Sequence, residues 1–115
     1  DGQFIRNGPN PYLDMYAARG YHEFSGDAML HSVDLAGGDA TYSNRWVQTK
    51  KLALDKQRGR PGRPMDYMEE DGVQMGAANT ALICHAKQLL ALYETDRPYV
   101  ISAPTLETVG PMTYG

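Results

Sequence analysis

The chain lacks the features that mark several protein classes. Cys84 is its one cysteine among 115 residues, which excludes an internal disulfide and a zinc site built from cysteines alone. No apolar run approaches the ~20 residues that a membrane-spanning helix requires. A net charge of −3 and a pI ≈ 5.5 provide no basic surface for nucleic acid, so we expect no nucleic-acid partner.

Common nucleotide-binding and hydrolase motifs are also missing from the sequence. It contains no P-loop, no glycine-rich dinucleotide fingerprint and no G-x-S-x-G nucleophile elbow. The chain starts at Asp1 rather than Met and stops at Gly115, directly after a strand-like stretch. We therefore expect a β-rich segment of a longer protein.

Turn-forming residues are plentiful. The 12 Gly, 7 Pro and 8 Tyr favour short strands joined by turns over a bundle of helices. The turn chemistry of residues 7–11 predicts the end of the first strand, and Gly37-Gly38 predicts a hairpin. The predicted strands are residues 3–6, 29–35, 40–49, 81–85, 89–93, 99–101 and 108–113. Their spacing is typical of a β-sandwich, barrel or propeller.

Residues 50–76 differ in composition from the rest of the chain. Their first half is basic, residues 59–64 consist only of Gly, Arg and Pro, and their second half is acidic. We interpret the segment as an exposed excursion from the β-structure, with one helical turn at residues 52–56.

A few side chains invite a chemical interpretation. His22, His31 and His85 could bind a metal, but their spacing places no two of them on one strand face, so we expect surface or hydrogen-bonded histidines. Glu94 ends an apolar run, which is consistent either with a specific hydrogen-bond acceptor or with a rim residue in a turn. Phe24, beside a Gly-Asp turn, is by its pattern alone a core aromatic.

Five short motifs follow one another along the chain. Residues 4–11 read F-I-R-N-G-P-N-P, residues 20–31 read G-Y-H-E-F-S-G-D-A-M-L-H, and residues 40–49 read A-T-Y-S-N-R-W-V-Q-T. Residues 78–94 contain A-N-T-A-L, then a histidine, then L-L-A-L-Y-E, and residues 106–110 read L-E-T-V-G. In this order the motifs resemble the carotenoid cleavage dioxygenase family, which includes the retinal-pigment-epithelium isomerase and the lignostilbene dioxygenases.

Four positions depart from the family's pattern. Glu23 stands where Trp is usual, Ser25 where Asp is usual, Ala28 where Gly is usual and Gln48 where Arg is usual. The excursion is also shorter than in plant members. These differences leave the subgroup open.

The resemblance implies an all-β fold in which residues 1–115 form one to two blades of a seven-bladed β-propeller. It implies an Fe(II) cofactor held by four histidines that lie outside this segment, so we expect no metal ligand here and no activity from the segment alone. The implied reaction is cleavage of a carbon-carbon double bond of a carotenoid or apocarotenoid with O2, and the implied partners are a hydrophobic polyene and O2. Peripheral membrane contact of the complete protein and its compartment, cytoplasm or plastid, stay open.

Three residues match functional positions of the family. Glu94 matches a glutamate that accepts a hydrogen bond from an iron-bound imidazole, Phe24 matches a residue that lines the substrate tunnel, and Tyr93 matches a residue that faces the cavity. In stilbene-cleaving members a lysine that binds the phenol often precedes the glutamate, and Tyr93 in its place favours a polyene substrate. The alternatives are a stilbene-cleaving dioxygenase of the same family and a non-catalytic β-propeller that serves as a binding module.

Overall fold

A computed structural model describes residues 1–13, 25–62 and 64–113, which form two antiparallel sheets with little helix. The first sheet has the order β1-β2-β3 and the second the order β4-β5-β6-β7. Helix α1 and a short 3-10 helix lie between the sheets in the chain. The bounds are β1 Gly2–Pro9, β2 Ala28–Ala36, β3 Asp39–Trp46, α1 Lys50–Arg58, 3-10 helix Pro64–Tyr67, β4 Ala81–His85, β5 Gln88–Leu92, β6 Tyr99–Ile101 and β7 Thr108–Pro111.

The first sheet contains the hairpin predicted at Gly37-Gly38. Both glycines have positive φ, 58° and 85°, which the tight connection between β2 and β3 requires and which glycine adopts without steric cost. β1 is longer than predicted, because the strand continues through the turn-like residues Asn7, Gly8 and Pro9. Pro9 is the last residue of an edge strand, where its missing N–H removes no bond from the interior of the sheet.

The second sheet is a four-stranded meander. β4 and β5 are joined by Ala86 and Lys87, both with positive φ, 49° and 64°. β6 pairs with β7 in a register that shifts between Val100 and Ile101. The sequence therefore predicted every strand of this sheet: β4 and β6 with the observed bounds, and β5 and β7 with ends that differ by one or two residues.

The core lies between the two sheets. One face of the first sheet contributes Leu30, and the chain just after β3 contributes Val47. The second sheet contributes alternate residues of β5, Leu89 and Ala91, together with Ile101 of β6. Since burial of one such aliphatic side chain stabilises the fold by roughly 1.5–3 kcal/mol, this cluster holds the two sheets face to face.

The excursion at residues 50–76 is only partly exposed, which corrects the prediction. α1 extends over nine residues rather than one turn. The Thr49 side chain is the N-cap and accepts a hydrogen bond from the N–H of Leu52 at 3.0 Å. The helix ends at Gly59, which has a φ of 72°. One face of α1 is buried. Leu52 on this face is 0% exposed, whereas Lys50 and Lys56 lie at the surface.

A buried ion network fixes this helix. Lys51 is 4% exposed, and its Nζ lies 3.1 Å from Oδ1 of Asp27 and 3.0 Å from Oδ2 of Asp55. The Tyr67 hydroxyl donates to Oδ1 of Asp55 at 2.9 Å and accepts from the N–H of Gly62 at 2.6 Å. This burial is not predicted from the sequence, since a lysine in a basic run is usually solvated.

The network changes the acid-base behaviour of two of its members. Burial acts to lower the pKa of Lys51, but attraction to the carboxylates of Asp27 and Asp55 outweighs it, so the pKa is raised above its usual value. Burial raises the pKa of Tyr67 to about 12, against a smaller opposing effect of Lys51. The lysine is therefore charged and the tyrosine neutral at physiological pH.

Among the described helices, none combines the length and the apolar character needed to cross a bilayer.

Candidate functional site

Glu94 lies in the turn that follows β5. Its side chain is exposed, and within the described residues its carboxylate has no hydrogen-bond or ion-pair partner. The apolar residues of β5, buried at Leu90 and Ala91, hold the strand in the sheet and bring Glu94 to its end. A carboxylate placed in this way can accept a hydrogen bond from a donor that another part of the protein supplies.

Tyr93 precedes Glu94 and is half-buried. Its ring lies against the backbone of Gly76. A Cβ placed on Gly76 would lie 2.6 Å from Cδ2 and 2.9 Å from Cγ of Tyr93, and 2.7 Å from Cβ of Asp96, which are distances that real Cβ atoms do not show. The contact between Gly76 and Tyr93 therefore depends on the absence of a side chain.

The turn that carries Glu94 is closed by Asp96. One carboxylate oxygen of Asp96 accepts from the N–H of Gly76 at 2.7 Å, and the other accepts from the N–H of Arg97, also at 2.7 Å. On the other side, the N–H of Thr80 donates to the carbonyl of Leu92 at 3.0 Å. Residues 76–80 thus form a backbone support under residues 92–96.

This support is itself joined to the first sheet. The Asn79 side chain donates to the carbonyl of Gly26 at 2.6 Å. The Asn7 side chain donates to the carbonyls of Ala78 and Ala81 at 2.6 and 3.1 Å. These amide contacts fix the position of the support relative to β1 and to the turn before β2.

The remaining candidate residues are not gathered at this site. Phe24 and His22 lie outside the described residues. His31 stacks on Tyr42, with its Nδ1 at 2.6 Å from the Tyr42 hydroxyl, and His85 is exposed at the end of β4. No group of three His, Cys, Asp or Glu side chains in the described part of the chain is arranged to hold a metal ion.

The sequence indicated Tyr93 only through the family resemblance and Glu94 also through its place at the end of an apolar run, and it indicated no role for Gly76, Asp96 or Asn79. A signal for Asn79 was available in the A-N-T motif. None existed for the contact between Gly76 and Tyr93, since the two residues are separated by a whole hairpin.

Comparison with known proteins gives a consistent result. The model of the family described as retinal pigment epithelial membrane protein matches residues 1–115. The chain is 36% identical to carotenoid 9,10(9',10')-cleavage dioxygenase 1 of Arabidopsis thaliana, over 99% of this chain and 25% of that protein. The chain therefore spans about a quarter of the length of the curated relatives that it matches.

Solved structures show the same fold. The lignostilbene dioxygenase of Pseudomonas brassicacearum matches with a TM-score of 0.81 and 31% identity, over 97% of this chain and 24% of that one. A cobalt-substituted apocarotenoid oxygenase of Synechocystis matches with a TM-score of 0.76 and 24% identity, over 96% of this chain and 25% of that one. These matched enzymes are β-propellers, so the predicted β-propeller fold is confirmed for this segment.

Proposed function

The chain belongs to the carotenoid oxygenase family, and we propose that the complete protein is a non-haem Fe(II) dioxygenase that cleaves a carbon-carbon double bond of a carotenoid or apocarotenoid with O2. The observation that carries this proposal is the family match over residues 1–115. Residues 1–115 then form one to two blades of the propeller. Because a structural relative exists in a cobalt-substituted form, a metal centre belongs to the family.

In this proposal, Glu94 is the residue of this segment that supports the metal site, by a hydrogen bond to one of the metal's ligands. Its exposed carboxylate, without a partner among the described residues, fits the role of an acceptor for the distal N–H of a ligand imidazole. Such a contact fixes the tautomer and orientation of the ring and raises its basicity. The iron ligands lie outside this segment, and bound Fe(II) would supply the activation of O2.

Tyr93 and Phe24 contact the substrate in this proposal. Tyr93 is adjacent to Glu94 and is only half-buried, so it can line a cavity next to the metal. An aromatic face suits a conjugated polyene, which offers no charged or strongly polar group for recognition. The position that a lysine often occupies in stilbene-cleaving members is held by this tyrosine.

Stilbene cleavage is the second candidate function. The observation in its favour is the match to the Pseudomonas brassicacearum lignostilbene dioxygenase, at 31% identity and a TM-score of 0.81. The absence of a lysine before Glu94 argues against it, because a phenol would lose its charged partner.

A substrate panel distinguishes these candidates. The full-length protein, loaded with Fe(II), is incubated with β-carotene, apocarotenals of several lengths and resveratrol, and aldehyde products are identified by mass spectrometry. We expect cleavage of polyenes and little or no turnover of resveratrol. Turnover of resveratrol alone would overturn the proposed substrate class, and a protein that binds no iron and cleaves nothing would be a non-catalytic propeller.

A further inference from the structure

Gly76 lies beneath Tyr93, and the two residues touch without any side chain between them. Gly76 is buried, and its φ is not positive, so its backbone conformation is open to other residues. The constraint is one of space, because a Cβ would approach Cδ2 of Tyr93 to 2.6 Å and Cβ of Asp96 to 2.7 Å. Ordinary van der Waals contact begins at 3.4 Å, so one of the neighbours would have to move by about an ångström.

Gly76 and Asp96 also act together through a hydrogen bond. The 2.7 Å bond from the N–H of Gly76 to the Asp96 carboxylate joins the support to the far end of the turn that begins at Tyr93. A charged acceptor makes this bond stronger than one between neutral groups. Glu94 lies between the two contact points, so its position depends on both.

The support cannot easily yield to an added side chain. Ala77 and Ala78 are each 1% exposed, and Asn79 is 4% exposed. The Asn79 amide is bonded to the carbonyl of Gly26. Tyr93 is half-buried and Asp96 lies in the turn after β5, so these two neighbours, rather than the packed segment, move to make room for a Cβ.

We propose that Gly76 is a specificity-determining residue. Because Gly76 has no side chain, the Tyr93 ring lies directly against its backbone, and this contact, together with Asp96, positions Tyr93 and Glu94. This inference rests on the proposed function, in which Tyr93 contacts the polyene. A side chain at position 76 pushes the ring toward the substrate, so the cavity narrows and long polyenes lose affinity. Gly76 acts through Tyr93 and is a positioning residue.

The test compares Gly76→Ala with Gly2→Ala in the full-length protein. The control adds the same methyl group at a position where the described residues place no atom within 4 Å. We expect Gly76→Ala to raise KM for the preferred polyene about tenfold, as for a misfit of one methyl group in an apolar pocket, with a smaller decrease in kcat from the shift of Glu94 and with iron content retained at saturating Fe(II). In a Tyr93→Ala background the same substitution should change KM less than threefold.

Crystal structures of the full-length wild type and Gly76→Ala provide a readout that needs no substrate. We expect the Tyr93 ring to be displaced by about an ångström. If the ring stays in place and KM is unchanged, the proposal is wrong. If the ring moves but the wild type cleaves no polyene, the positioning is correct and the proposed function is wrong.

Asp96→Ala is the second variant, used where Gly76→Ala does not fold. It removes the acceptor for the N–H of Gly76 and for the N–H of Arg97 without adding bulk. We expect a changed absorption spectrum of the cobalt-loaded protein, because Glu94 shifts relative to the ligand imidazole, and weaker polyene binding. A spectrum and KM equal to those of the wild type would contradict the positioning role of Asp96.

Discussion

In the proposed function, the carboxylate of Glu94 is the group of this segment that acts on the metal site. Changing Glu94 to Gln in the full-length protein keeps the size of the side chain but removes its charge, so the ligand imidazole loses its strong acceptor. Loss of such a partner typically costs ~10–100-fold in metal affinity or activity. Iron titration and single-substrate kinetics measure the two effects.

The control for that experiment is a glutamate outside the candidate site. Glu69 is not suitable, because its carboxylate lies 3.3 Å from Nζ of Lys50 and its side chain is only 25% exposed. Glu70 is exposed, so Glu70→Gln is the better matched variant and should leave iron affinity and turnover unchanged. Full iron occupancy and wild-type turnover in Glu94→Gln would make Glu94 a rim residue only.

Single residues were the hardest part of the molecule to predict from the sequence. The motif that contains Tyr93 and Glu94 predicts a role for each of them through the family resemblance. The burial of Lys51 could not be predicted, because it depends on Asp27 and Asp55 being held on either side of it by the tertiary fold. The contact between Gly76 and Tyr93 likewise arises only when β4 and β5 have paired.

Helix α1 depends on the ion network at Lys51 for its place against the turn before β2. Lys51→Met leaves Asp27 and Asp55 buried without a cation, and breaking a buried pair in this way costs roughly 3–5 kcal/mol. Lys50→Met is the matched control, because Lys50 is 52% exposed in its ion pair and exposed pairs contribute only about 0–1 kcal/mol. Urea midpoints of the full-length variants measure the difference, and equal midpoints would show that the network is not needed.

The same network predicts a dependence on pH. Both Lys51 and Tyr67 have a raised pKa in the folded protein, so the folded state keeps protons that the unfolded state loses. The stabilisation is therefore complete below about pH 10, the usual pKa of tyrosine, and is lost as the pH rises through the raised values. The gap between the urea midpoints of wild type and Lys51→Met should accordingly be smaller at pH 11 than at pH 8.

The two hairpins show why strands were easier to predict than their connections. Gly37-Gly38 predicted the turn between β2 and β3, because glycine is common where φ is positive. Ala86 and Lys87 adopt a comparable turn with φ 49° and 64°, although neither residue favours it. The apolar strands β4 and β5 impose this conformation through their pairing, and the propensity of the turn residues alone would not have revealed it.

The stack of two sheets has apolar residues on its outer sides as well as in its core. Phe4, Val33 and Tyr42 lie side by side across the first sheet, and Phe4 and Tyr42 are 65% and 57% exposed. On the far side of the second sheet, Ile83 is 44% exposed. A free-standing sandwich would place polar residues there, so both faces are suited to further sheets, as in adjacent propeller blades.

This unpartnered surface leads to the final prediction, which concerns the 115-residue chain by itself. Its exposed aromatic side chains and unpaired strand edges favour self-association, and its described residues include no cluster of metal ligands. We expect the isolated chain to aggregate at micromolar concentration in sedimentation velocity experiments and to take up little Fe(II) in anaerobic titration, whereas the full-length protein binds the metal stoichiometrically. Tight, stoichiometric Fe(II) binding by the isolated chain would place ligands within residues 1–115 and would contradict the assignment of the iron site to histidines outside this segment.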